Sequence, residues 1–128
     1  MDKKIIATGA VLGMIAIVLG AFGAHALKKV LTIEELSTFE TGVKYQMYHA
    51  LFLLFIGLAT KIPKKAKKTI YLLVVFGVIF FSGSIYLLAT NSLILFDFKV
   101  IGFITPIGGL LLIMAWGILF FNLLRKNL

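Results

Sequence analysis

The chain contains no cysteine, which excludes disulfides, thiolate metal sites and thiol catalysis. Acidic residues are nearly as scarce, at 5 Asp and Glu against 13 Lys and Arg. Charged residues make up only 14% of the 128 positions, where soluble domains carry about 25%. Low-complexity stretches, a separate soluble domain and a clear repeat between the two halves are all missing. No nucleophile, base and acid stand in a recognisable spacing, so no catalytic residue is assigned. What fills the chain instead is apolar: 61% of residues are hydrophobic. A single domain of this length could not hide that much apolar surface from water, because its core is limited by surface-to-volume scaling. Lipid is the fitting solvent.

The placement of the charges says where the lipid lies. Residues 5–27, 45–60, 69–90 and 100–124 contain no Lys, Arg, Asp or Glu. A spanning helix needs about 20 apolar residues. The second segment is short, but Val43 and the aliphatic stem of Lys44 extend it to 43–60, since lysine can reach up to the headgroups. One lysine at mid-membrane would cost about 2.5–3.5 kcal/mol on insertion scales. Four charge-free segments in a row therefore predict an all-α integral membrane four-helix bundle forming a single transmembrane domain over 1–128.

With four spans, Lys3, Lys4, Lys61, Lys64, Lys65, Lys67, Lys68, Arg125 and Lys126 share one side, with Asp2 as their only acid. On the other side Lys28, Lys29, Lys44 and Lys99 cancel Glu34, Glu35, Glu40 and Asp97. The whole net charge of +8 thus gathers on one face, which the positive-inside rule makes cytoplasmic, with both termini inside. The expected partners are the bilayer itself and anionic headgroups at Lys61, Lys64, Lys65, Lys67 and Lys68, each basic residue contributing about 1 kcal/mol near the surface. This one-sided distribution speaks against nucleic acid. Lys3-Lys4, an apolar run and Ala24-His25-Ala26 imitate a cleaved signal peptide, but the run is too long and too rich in glycine.

Gly9, Gly13, Ala16, Gly20 and Ala24 recur at spacings that put them on one helix face, where small side chains let backbones approach closely. This predicts a first helix central to the bundle. Thr32-Ile33-Glu34-Glu35 reads as a capping box with Leu31 and Leu36 as its hydrophobic staple, opening an amphipathic outer helix over 32–43 with a bend at Gly42. Pro106, inside the fourth span, should kink it by clashing with the carbonyl of Gly102.

Polar residues inside spans are the informative ones. The candidates are His25, Tyr45, Gln46, His49, Ser82, Ser84, Thr105 and Pro106. Counting about 1.5 Å per residue, His25 lies at the outer end of helix one, and His49, Thr105, Ser82 and Ser84 lie about 7–12 Å in from that side. All four helices thus contribute to one layer in the outer half of the membrane. Read functionally, the layer is a polar pocket opening outward for a headgroup, small solute or ion. Read structurally, it is a hydrogen-bond network that ties the helices together and satisfies the carbonyl freed by Pro106. His25 and His49 also raise a bis-imidazole haem or metal site, though a third ligand is missing and no cofactor is assigned. Trp116, deep in the fourth span, reads as core packing.

Four motifs carry a resemblance: 20–27 (GAFGAHAL), 39–51 (FETGVKYQMYHAL), 81–86 (FSGSIY), and 105–109 (TPIGG) with 115–117 (AWG). Together they resemble the small bacterial membrane proteins grouped as domain-of-unknown-function family 423, with distant eukaryotic relatives called transmembrane protein 256. The resemblance covers nearly the whole chain and implies a multi-pass protein of the bacterial cytoplasmic membrane with no established activity. The reading is therefore a structural, assembly or interaction role with an outer-half polar ligand site. Its alternatives are a small transporter or channel and a histidine-dependent haem carrier or intramembrane enzyme. A pore would need a parallel homo-oligomer, since one copy of four helices encloses little space.

Overall fold

The computed structural model describes residues 1–94 and 97–125; Lys126 lies outside them. Four long helices follow one another: α1 (Asp2–His25), α2 (Ile33–Leu58), α3 (Lys64–Ala89) and α4 (Ile104–Arg125). Short 3-10 turns at Leu27–Lys29, Asn91–Leu93 and Phe98–Ile101 join them at one end. Among the described residues there is no strand. By length and composition, α1 with its following turn, α3 and α4 are apolar enough to cross a membrane. The 26-residue α2 is long enough, at about 39 Å, but Lys44, Tyr45, Gln46, Tyr48 and His49 make it more polar.

The start of α2 follows its sequence closely. The Thr32 hydroxyl accepts from the Glu35 amide at 3.1 Å, and the Glu35 carboxylate accepts from the Thr32 amide at 2.9 Å. That amide, foremost, and the Ser92 hydroxyl hold the Glu35 carboxyl below its ordinary range. Glu35 therefore also ties this helix start to the turn after α3. Gly42 does not interrupt α2, which continues through it to Leu58. The segment expected as a separate outer helix and the second apolar segment are one rod. Gly42 instead makes room for α3, since a methyl group there would lie 2.7 Å from the Tyr86 ring.

The helices pair as two antiparallel hairpins. On α1, Gly9 faces Ala50 and Leu53, Gly20 faces Val43, and Gly23 faces Phe39. A methyl group on Gly9 would come within 2.8 Å of the Ala50 carbonyl oxygen, so the small-residue face is a seam to α2. The middle of the bundle, however, is held by α2 and α3, each of which contacts all three other helices, and α1 lies at the edge. In the second hairpin, Gly77 abuts Leu112 and Gly108 abuts the backbone of Phe80 and Phe81. Here α3 widens into one π turn, Ile79–Gly83. Pro106 falls in the first turn of α4, where an N–H has no helical partner, so no helical bond is lost there.

Two apolar clusters result. Ile5, Leu53, Ile56, Ile70, Val74, Leu112 and Ala115 fill the lysine-rich half, and Leu27, Leu31, Phe39 and Ala89 fill the other end. Lys67 reaches into the first of these ends. Its side chain is 4% exposed and donates to Asp2 Oδ2 at 3.2 Å and to the Gly57 carbonyl at 3.5 Å. It is thus turned away from headgroups, unlike Lys61, Lys64, Lys65 and Lys68, which are exposed. The pair is asymmetric, because Asp2 is 53% exposed. Asp2→Ala strands a buried ammonium and should cost about 2 kcal/mol. Lys67→Met returns a carboxylate to water and should cost about 1 kcal/mol or less. Thermal unfolding in detergent checks the order, and equal losses would refute it.

Candidate functional site

Between the two apolar clusters lies the polar layer. Gln46 spans three helices: its Nε2 donates to the Leu12 carbonyl at 2.9 Å, and its Oε1 accepts from the Tyr86 hydroxyl at 2.6 Å. One turn away, the Ser82 hydroxyl donates to the Gly42 carbonyl at 2.7 Å, again joining α3 to α2. Ser84 faces the opposite side and bonds Thr105 at the start of α4. Because the single Ser84 proton goes to the Phe81 carbonyl in the π turn, Thr105 is the donor of that pair. Gln46, His49, Ser82 and Ser84 are all 4% exposed or less. No buried side-chain nitrogen or oxygen among the described residues is left without a partner.

His49 is committed on both ring nitrogens. Nδ1 lies 2.7 Å from the Tyr45 carbonyl, which can only accept, so Nδ1 carries the proton. Nε2 then offers a lone pair, and the Trp116 indole N–H donates to it at 3.0 Å. Trp116 also stacks on Phe52, with centroids 4.1 Å apart. Because α4 docks mainly on α3, Trp116 is its chief bridge to α2. It is 48% exposed and belongs to this bridge more than to a core. A buried or half-buried indole N–H seeks an acceptor, and a mid-span histidine was the one to look for.

Beside this bridge is a cleft of about 330 Å³ lined by Tyr45, His49, Phe81, Leu112, Ile113 and Trp116. Its rim residues Tyr45, Ile113 and Trp116 are each at least 40% exposed, so it opens on the flank of the bundle. The expected outward pocket is therefore a mostly apolar lateral crevice. Its polar members are Tyr45 and His49, while Gln46, Ser82, Ser84 and Thr105 are spent elsewhere. His25 and Pro106 are exposed and bond to none of these side chains. The α1–α2 register sets His25 level with α2 near residue 37, about 18 Å along the axis from His49. Those two imidazoles cannot ligate one iron. Among the described residues, no group of three or more His, Cys, Asp or Glu side chains could hold a metal.

Residues 19–109 match the family described as protein of unknown function (DUF423). The chain belongs to that family. A UPF0382 membrane protein of Staphylococcus saprophyticus is 44% identical over 89% of this chain and 91% of its own. The UPF0382 membrane protein YwdK of Bacillus subtilis is 38% identical, covering 89% and 90%. The UPF0382 inner membrane protein YgdD of Escherichia coli K12 is 36% identical, covering 91% and 86%. No solved structure matches. This DUF423 member is a multi-pass membrane protein, and the family adds no activity. The matched region carries every candidate of the polar layer, while the Leu12 carbonyl and Trp116, which complete two of its bonds, lie outside it.

Proposed function

We propose that this protein is a non-enzymatic component of the membrane, with a structural, assembly or interaction role. One observation carries the reading: the buried side chains of the polar layer are used up in holding the helices together. Gln46, Ser82, Ser84 and Thr105 each bond a neighbouring helix, and His49 has no nitrogen free for proton transfer or ligation. The lysine-rich end, with both termini, faces the cytoplasm, as the one-sided charge supports. Its exposed Lys61, Lys64, Lys65 and Lys68 draw anionic headgroups. The flank cleft beside His49 is where a membrane-dissolved guest would enter.

The test is native mass spectrometry of gently solubilised protein together with His49→Phe. The expected result is that no bound small molecule depends on His49, with a melting temperature in the variant lowered by loss of the Trp116 bond. That bond is worth about 0.6 kcal/mol, the average for interhelical hydrogen bonds in membranes. A small molecule retained by the unmodified chain and lost in His49→Phe would overturn the structural reading in favour of a ligand site.

A further inference from the structure

At the lysine-rich end, the start of α3 and the last turns of α4 enclose a second cleft of about 390 Å³. Its walls differ in character. Lys65, Thr69 and Asn122 form the polar side, and Pro63, Ala66 and Ile118 the apolar side. The polar groups are only partly used. Asn122 Nδ2 gives one proton to the Ile118 carbonyl at 2.8 Å and keeps a second. The Thr69 hydroxyl gives its proton to the Lys65 carbonyl at 3.2 Å and retains only acceptor capacity. Donors toward the cleft are thus the Lys65 ammonium and one Asn122 proton.

Among the described residues the charge around the cleft is unopposed. Asp2, the only acid assigned to this end, is bound by the inward-turned Lys67. The fifth lysine of the cluster therefore consumes the local negative charge, and Lys61, Lys64, Lys65 and Lys68 stay exposed. An anion is the complementary ligand. The cleft also sits where the charged turn gives way to apolar helix, beginning at Ile70 on α3 and ending near Leu124 on α4. A phosphate at Lys65 would have hydrocarbon beside it, which suits a lipid better than a free ion. Basic clefts between helices at this depth are a known mode of holding phosphate headgroups.

We propose that this cleft binds one anionic phospholipid, with its phosphate held by Lys65 and Asn122 and one acyl chain laid against Ala66 and Ile118. The inference rests on the headgroup reading above and sharpens it from a diffuse attraction to a single site.

The full chain in detergent, titrated with phosphatidylglycerol or phosphatidylcholine and followed by native mass spectrometry, tests it. One phosphatidylglycerol should stay bound at concentrations where phosphatidylcholine does not. Lys65→Gln and Asn122→Leu should each weaken that retention about fivefold, and Lys65→Glu further, while Lys61→Gln changes it little. Lys65 is exposed, so its variants keep the fold, which circular dichroism checks. Equal weakening by Lys61→Gln and Lys65→Gln would overturn the cleft and leave the diffuse attraction standing. No preference for phosphatidylglycerol would overturn both. Full displacement by inorganic phosphate would overturn the lipid and leave only an anion site.

Discussion

Gly108→Val should lower stability by about 3 kcal/mol. A Cβ at position 108 would lie 2.7 Å from the Phe80 carbonyl carbon and press on the Phe81 amide nitrogen. Those atoms are backbone, in the π turn of α3, and cannot swing aside as a side-chain tip can. Relief requires α4 to move off α3, which opens the Gly77–Leu112 contact and breaks Ser84–Thr105. Gly117 in the same helix is the control, since a Cβ there meets nothing within 4 Å. Thermal unfolding of both variants decides the matter. Similar shifts for Gly108→Val and Gly117→Val would show that the close approach does not limit stability.

The second large effect is at Gln46. Gln46→Ala removes two interhelical bonds, worth about 0.6 kcal/mol each on average. It also takes from the Tyr86 hydroxyl its acceptor at 2.6 Å, leaving only the Ser82 oxygen beside it, which adds about 1–3 kcal/mol. A total near 3 kcal/mol is expected. Tyr86→Phe strands the amide oxygen and should cost less, because the Leu12 bond survives. The double variant Gln46→Met with Tyr86→Phe is the sharper measurement, since it replaces both partners by apolar groups of similar size. Its cost should fall well below the sum of the single losses. Strict additivity would mean that the two side chains do not interact.

Much of this architecture was legible in the residues. The gaps between charges locate the four long helices, and the Thr32–Glu35 box fixes where α2 begins, because both signals are local. Tertiary placement was less accessible. Intrinsic backbone behaviour alone makes Gly42 and Pro106 look like breaks. Yet Gly42 answers a neighbouring tyrosine ring, and Pro106 sits at a helix start whose position only the fold defines. The small-residue face of α1 predicts close packing, which occurs, but cannot say that one partner helix takes its glycines. Lys67 was counted with the exposed lysines because its charge is visible and its inward turn is not. Likewise the polar layer could be found by depth counting, whereas its division into Gln46–Tyr86, Ser82–Gly42, Ser84–Thr105 and His49–Trp116 pairs depends on helix rotation. Trp116 reads as packing in the sequence because nothing local says which acceptor its N–H meets.

The division into two hairpins gives that layer a further meaning. Aliphatic faces in lipid are nearly indifferent to sliding, since a leucine shifted by one turn finds another leucine. A slip of one turn between the hairpins, about 5.4 Å, would leave Gln46, Ser82 and Tyr86 facing hydrocarbon. The layer thus acts as a vernier: it sets the relative depth of the two halves and makes one vertical alignment of the molecule preferable to its neighbours.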